Sequence, residues 1–130
     1  MQMAVWIRRA SLAWVVVLAT GCLSTRITNL TPRQVMRPAD GLVSFEARWD
    51  SNQRAIREDS FRPYVVVGGE KFPMQRTLLT SNRWEALVPV PPDRRFVNYH
   101  FKFDYEIQGF GKRHPDSRLS AGYQLEILPP

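Results

Sequence analysis

The chain has 130 residues, enough for one domain and no more, and 23% of them are charged. Its net charge is +6, with 15 arginines against 3 lysines, but basic and acidic residues are interspersed and no long like-charge block occurs. That pattern argues against nucleic acid as a partner, and one cysteine excludes an intramolecular disulfide.

The first element in chain order is an export signal. Arg8 and Arg9 close a charged head, and the twelve residues from Ala10 to Gly21 carry no charge. A bilayer-spanning helix needs roughly twenty apolar residues, so the stretch predicts a short signal helix and a poor permanent anchor. Its ending, Leu18-Ala19-Thr20-Gly21-Cys22, resembles the lipobox of bacterial lipoproteins. The resemblance implies signal cleavage between Gly21 and Cys22 and a diacylglycerol on the Cys22 thiol. One position departs from that family, which usually has leucine three residues before the cysteine, where this chain has Ala19. Two alternatives are a twin-arginine signal at Arg8-Arg9, whose neighbours fit it poorly, and a free cysteine behind an uncleaved helix. Leu23, directly after the cysteine, resembles the outer-membrane class of lipoproteins. Cleavage would leave residues 22–130 as the mature domain, 109 residues of net charge +4, because Arg8 and Arg9 depart with the signal.

The rest of the chain alternates with period two. Ser24 to Leu30 reads as a weak first strand. Leu42 to Trp49 places Val43, Phe45, Ala47 and Trp49 on one face, the pattern of a half-buried antiparallel strand. Ala55 to Ser60 is polar and is expected to be a loop or one short helical turn. Tyr64-Val65-Val66-Val67 leads into Gly68-Gly69, a tight turn feeding a partner strand through Phe72 and Met74. Trp84 to Val90 contains Pro89, which donates no ladder hydrogen bond, so that strand should lie at an edge or end there. Val97 to Ile107 is the clearest strand, with Tyr99, Phe101, Phe103, Tyr105 and Ile107 sharing a face. Tyr123, Leu125 and Ile127 repeat the pattern.

Six or seven short strands, with breaker-rich turns such as Pro91-Pro92-Asp93 and Gly109-Phe110-Gly111, predict an all-β fold. The expected class is a two-sheet antiparallel immunoglobulin-like sandwich of about seven strands, preceded by the signal helix. The stretch from Arg83-Trp84-Glu85 to Pro91, followed by Val97-Asn98-Tyr99-His100-Phe101-Lys102-Phe103, resembles early-set immunoglobulin-like modules. These include glycogen- and starch-binding domains, so the resemblance, over about 20 residues, implies a sandwich and a glycan ligand.

No constellation with catalytic spacing occurs, and no cofactor or metal is expected. His100 and Asp104 share a strand face but stand about 13–14 Å apart at ~3.4 Å per residue. His114 and Asp116 fall in an expected loop and would need outside help to hold an ion. Glu58-Asp59 reads as solvated surface beside Arg57 and Arg62. The Asn29-Leu30-Thr31 sequon means little in an exported bacterial chain. Trp49, Trp84, Tyr99, Phe101, Phe103 and Tyr105 are expected in the core. Tyr64, Phe72, Phe96 and Phe110 lie near turns or on ambiguous faces and are the candidate ligand-contacting rings, with Arg94 and Arg95 as candidate contacts for an anionic group. The expected function is a non-enzymatic envelope lipoprotein, binding or scaffolding through its sandwich, with an envelope protein or a glycan as partner. The alternative is a surface carbohydrate-binding module.

Overall fold

The computed structural model describes residues 23–130. The expected signal helix, Gly21 and Cys22 lie outside the described residues. Ten strands follow in order: β1 (Thr25–Asn29), β2 (Gln34–Met36), β3 (Leu42–Ser51), β4 (Ile56–Val67), β5 (Glu70–Pro73), β6 (Gln75–Arg76), β7 (Arg83–Pro89), β8 (Phe96–Gln108), β9 (Arg113–Leu119) and β10 (Tyr123–Leu128). Among the described residues no helix is long and apolar enough to cross a membrane.

The strands form two sheets, one ordered β1-β3-β7-β6 and the other β2-β10-β8-β4-β5, with β9 also paired to β8. The first sheet has the A-B-E-D order of an immunoglobulin domain. The second holds its G-F-C centre as β10, β8 and β4, extended by β5. The fold is therefore an immunoglobulin-like β-sandwich. One pair is parallel, β2 with β10. The chain passes from the first sheet to the second between β1 and β2 without reversing, so β2 meets β10 in the same direction. Thr31 holds this crossing. Its Oγ1 accepts from the Glu46 N–H at 3.0 Å and donates to the Glu46 carbonyl at 3.2 Å.

The alternating faces meet in one core. β8 contributes Val97, Tyr99, Phe101, Phe103 and Tyr105; β3 contributes Val43, Phe45 and Ala47; Leu125 and Ile127 come from β10. Full burial of such side chains contributes about 1.5–3 kcal/mol each. Val67 and Glu70 pair across Gly68-Gly69, and both glycines have positive φ (58° and 85°). A two-residue turn of that hand matches the twist of the flanking strands and favours glycine at both positions. β7 ends at Pro89, where the missing donor was expected to stop it.

Three expectations need correction. The strands number ten rather than about seven, because β2, β5 and β6 are short edge pieces of two to four residues. Residues 56–60 are neither loop nor helical turn but the start of β4, whose register shifts between Arg57 and Arg62. Ser60 replaces the lost ladder bonds: its Oγ accepts from the Glu106 N–H at 2.8 Å and donates to the Arg57 carbonyl at 2.6 Å. The bulge spoils the alternation that would have marked a strand. His114 and Asp116 stand in β9, not in a loop. Every residue of β9 is exposed, so no apolar period marks it, and its ladder with β8 alone makes it a strand. Pro115 and its charged neighbours blunt this free edge.

Asn29 ties β1 to the core. Its Nδ2 donates to the Tyr99 hydroxyl at 2.8 Å, and its Oδ1 accepts from the Thr31 N–H at 3.0 Å. The sequon asparagine thus has a structural task. Tyr99→Phe should destabilise the domain by about 1 kcal/mol in chemical denaturation, because the Asn29 amide loses its partner. Burial, the largest cause in both cases, pushes the Tyr99 and Tyr105 phenols above their ordinary value of 10.0. A raised phenol pKa favours the folded state below pH 10.0, and that contribution is lost as pH climbs through the folded value. Alkaline unfolding should therefore set in above that point, and the doubly substituted Tyr99→Phe, Tyr105→Phe chain should show a flatter pH profile there.

Candidate functional site

Where β3 ends and β4 begins, the sandwich opens into a cleft of about 470 Å³. Trp49, Phe61 and Trp84 form its apolar wall. Trp49 and Phe61 meet edge to face at 5.1 Å, and Phe61 lies 5.4 Å from Trp84. Behind them Phe103 supports Trp49 at 4.8 Å. The Arg76 guanidinium sits 4.9 Å from the Trp84 ring centre, a cation–π contact that covers the indole.

Polar groups surround this wall. Asp50 accepts from Arg48 Nε at 2.9 Å and from Asn82 Nδ2 at 3.1 Å, so two donors hold its carboxylate in place. Gln53, Arg54, Glu58 and Ser81 complete the rim. The arrangement sets aromatic side chains beside oriented hydrogen-bonding groups, the usual make-up of a small-molecule site. It contains no nucleophile paired with a base.

The alternating pattern places Trp49 and Trp84 in the core and singles out neither Phe61 nor Arg76. Both indoles do point inward, but they are half-buried and pack against the core from its edge. The available signal was position: Trp49 stands two residues before the end of β3, and Trp84 is the second residue of β7. A ring at a strand end sits where the two sheets splay apart.

The six candidate contacts fall in separate places. Phe72, Phe96 and Arg94 come together around a recess of about 310 Å³ at the opposite end of the sandwich. The Arg95 guanidinium covers the Phe96 ring at 5.3 Å and approaches Glu126 at 3.8 Å. Arg37 braces the turn by donating to the Arg94 carbonyl at 2.6 Å. Tyr64 lies apart, half-buried on β4 beneath the Lys71 ammonium, 4.3 Å from its ring centre. Phe110 is fully exposed at the tip of the β8–β9 hairpin.

Among the described residues, no three of His, Cys, Asp and Glu stand close enough to share a metal ion. Lys102 lies between His100 and Asp104 and pairs with Asp104 at 3.4 Å. Arg113 binds Asp59 at 2.9 Å, and that hydrogen bond holds the Asp59 carboxyl below its ordinary value. The His114 ring packs against Gly109, where an added Cβ would meet it at 2.9 Å.

No protein-family model and no curated protein matches the chain. Among solved structures, that of murine CRIg is similar, with 13% sequence identity and a TM-score of 0.39; the likeness covers 81% of this chain and 98% of that one.

Proposed function

We propose that the chain is a lipid-anchored binding domain of the bacterial cell envelope, held through Cys22 and performing no reaction of its own. The observation that carries this reading is the lipobox-like ending at Cys22 set directly against a folded domain. β1 begins at Thr25, so only Leu23 and Ser24 separate the cysteine from the first ladder pair. A link that short reaches about 10 Å at ~3.5 Å per residue. The sandwich would ride on the membrane rather than at the end of a long tether. Leu23 favours the outer membrane as its address. Mass spectrometry of the mature N-terminus tests the reading. A diacylglycerol-modified Cys22 is the expected result; an intact Met1 or an unmodified Cys22 thiol would refute it.

A second reading, glycan binding, draws on the aromatic cleft. Sugar rings present apolar faces to indoles and hydroxyls to carboxylates and amides, and Trp49, Trp84, Asp50 and Asn82 supply both kinds of group. On a glycan array the full chain should then bind, and Trp84→Ala should weaken that binding about tenfold or more, in line with the loss of one anchoring ring. Tyr64→Ala, Phe72→Ala, Phe96→Ala and Phe110→Ala report on the other rings. Absence of binding by the unaltered chain would end the sugar reading.

A further inference from the structure

Four segments gather at one end of the sandwich. The segment leading into β1 is fixed to the β3–β4 turn, where Ser24 N–H donates to Asn52 Oδ1 at 2.7 Å and Asn52 N–H donates to the Ser24 carbonyl at 3.1 Å. The β6–β7 loop lies beside the end of β3, joined through Trp49 N–H to the Asn82 carbonyl at 2.8 Å. The β8–β9 hairpin joins them through Gln108 N–H to the Ala55 carbonyl at 2.8 Å.

This end carries the most exposed large apolar side chains among the described residues: Leu23 at 70%, Leu78 at 87%, and Leu79 and Phe110 at 107%. The other exposed ones, Met36, Leu87, Phe96 and Leu119, lie between 45% and 67%. Leu79 is also strained, with φ at 61°, a region that L side chains avoid. The turn that presents it is closed by Thr80, whose N–H and hydroxyl both donate to the Thr77 carbonyl. A strained backbone that holds a leucine out into water points to a use outside the domain.

We infer that this end is a membrane-docking face, with Leu23, Leu78, Leu79 and Phe110 entering the headgroup–acyl boundary of the bilayer. The inference rests on the anchor reading, because Cys22 joins the chain next to Leu23 at this same end. The face is a set of separate apolar tips, not a groove, and a fluid lipid surface suits separate tips. Charge agrees with that occupant: Arg54 and Lys112 are exposed beside the tips, where anionic headgroups would neutralise them. Glu58 is the exposed acidic neighbour without an ion pair, since Asp59 is bound to Arg113. In this pose the aromatic cleft opens toward the membrane, and the Phe72–Phe96 recess faces away from it.

The test uses the full chain, purified from membranes and reconstituted into vesicles of phosphatidylethanolamine and phosphatidylglycerol. Single variants Leu79→Cys, Phe110→Cys and Glu70→Cys each carry an environment-sensitive fluorophore. Quenching is read with nitroxide-labelled lipid, and the N-terminal peptide of each sample is weighed by mass spectrometry. Strong quenching at positions 79 and 110, with none at 70, is the expected result. No quenching at 79 and 110 in samples whose Cys22 carries lipid overturns the docking face and leaves the anchor standing. Equal quenching at all three positions also overturns it, because no face is then selected. Blue-shifted emission without quenching assigns the face to contact with a second copy of the chain and overturns it as well. A sample whose Cys22 is an unmodified thiol refutes the anchor; the same three variants made with Cys22→Ser then carry the label at one site each, and quenching at 79 and 110 but not at 70 supports the docking face.

Discussion

Cys22→Ser is expected to abolish stable membrane attachment. Serine cannot form the thioether that would carry the diacylglycerol, so both acyl chains are lost at once. Each buried CH₂ contributes about 0.8 kcal/mol, and one chain alone binds only marginally. Two chains change the partition by many orders of magnitude. What remains in the variant is the uncharged run from Ala10 to Gly21, twelve residues against the roughly twenty that a spanning helix needs. The unaltered chain should stay with membranes through alkaline carbonate extraction. The serine variant should be extracted and should keep the mass of the uncleaved precursor. If the variant resists carbonate as the unaltered chain does, the apolar run is the anchor and the lipid reading is wrong.

Phe103→Ala is expected to destabilise the fold severely. Phe103 is fully buried, and its ring supports Trp49 at 4.8 Å and Phe61 at 5.5 Å. Truncation removes the fully buried ring beneath an aromatic cluster drawn from β3, β4 and β8, and a cavity remains because two sheets fix its walls. Such phenylalanine deletions destabilise by about 3–5 kcal/mol. A domain of this size has roughly 5–15 kcal/mol in all. Tm should fall by roughly 12–20 °C, read by circular dichroism. Phe96→Ala is the control: its ring is 45% exposed, and its loss should cost about 1 kcal/mol or less. Equal losses for the two variants would show that the buried Phe103 ring does not support the cluster. Because Trp49 and Phe61 also wall the cleft, Phe103→Ala should loosen any ligand site there without touching the ligand.

How much could be read from the chain varied with how each strand is buried. β8 was plain because four inward rings, Tyr99, Phe101, Phe103 and Tyr105, alternate with polar residues, and a half-buried sheet imposes that period. β3, β7 and β10 were legible for the same reason. β9 was not, since nothing in it is buried and its partner β8 alone defines it. The first residues of β4 were hidden by a bulge whose backbone bonds are satisfied by a serine far from its partner in sequence. The candidate rings share nearness to turns or ambiguous faces as their sequence criterion. That criterion found Phe72 and Phe96, which do share a recess, but not which other strand ends would meet.

By itself the sequence determined the period of the strands, the inward set of rings, the glycine turn at Gly68-Gly69 and the lipobox-like ending at Cys22. These are local properties, written in alternation, backbone freedom and side-chain chemistry. The tertiary structure alone decided the strand order, the parallel β2–β10 pair and the meeting of Trp49, Phe61 and Trp84 in one cleft. It also decided that Leu23, Leu79 and Phe110 share an end. Each of these depends on contacts between residues tens of positions apart, which two packed sheets select and no local pattern encodes.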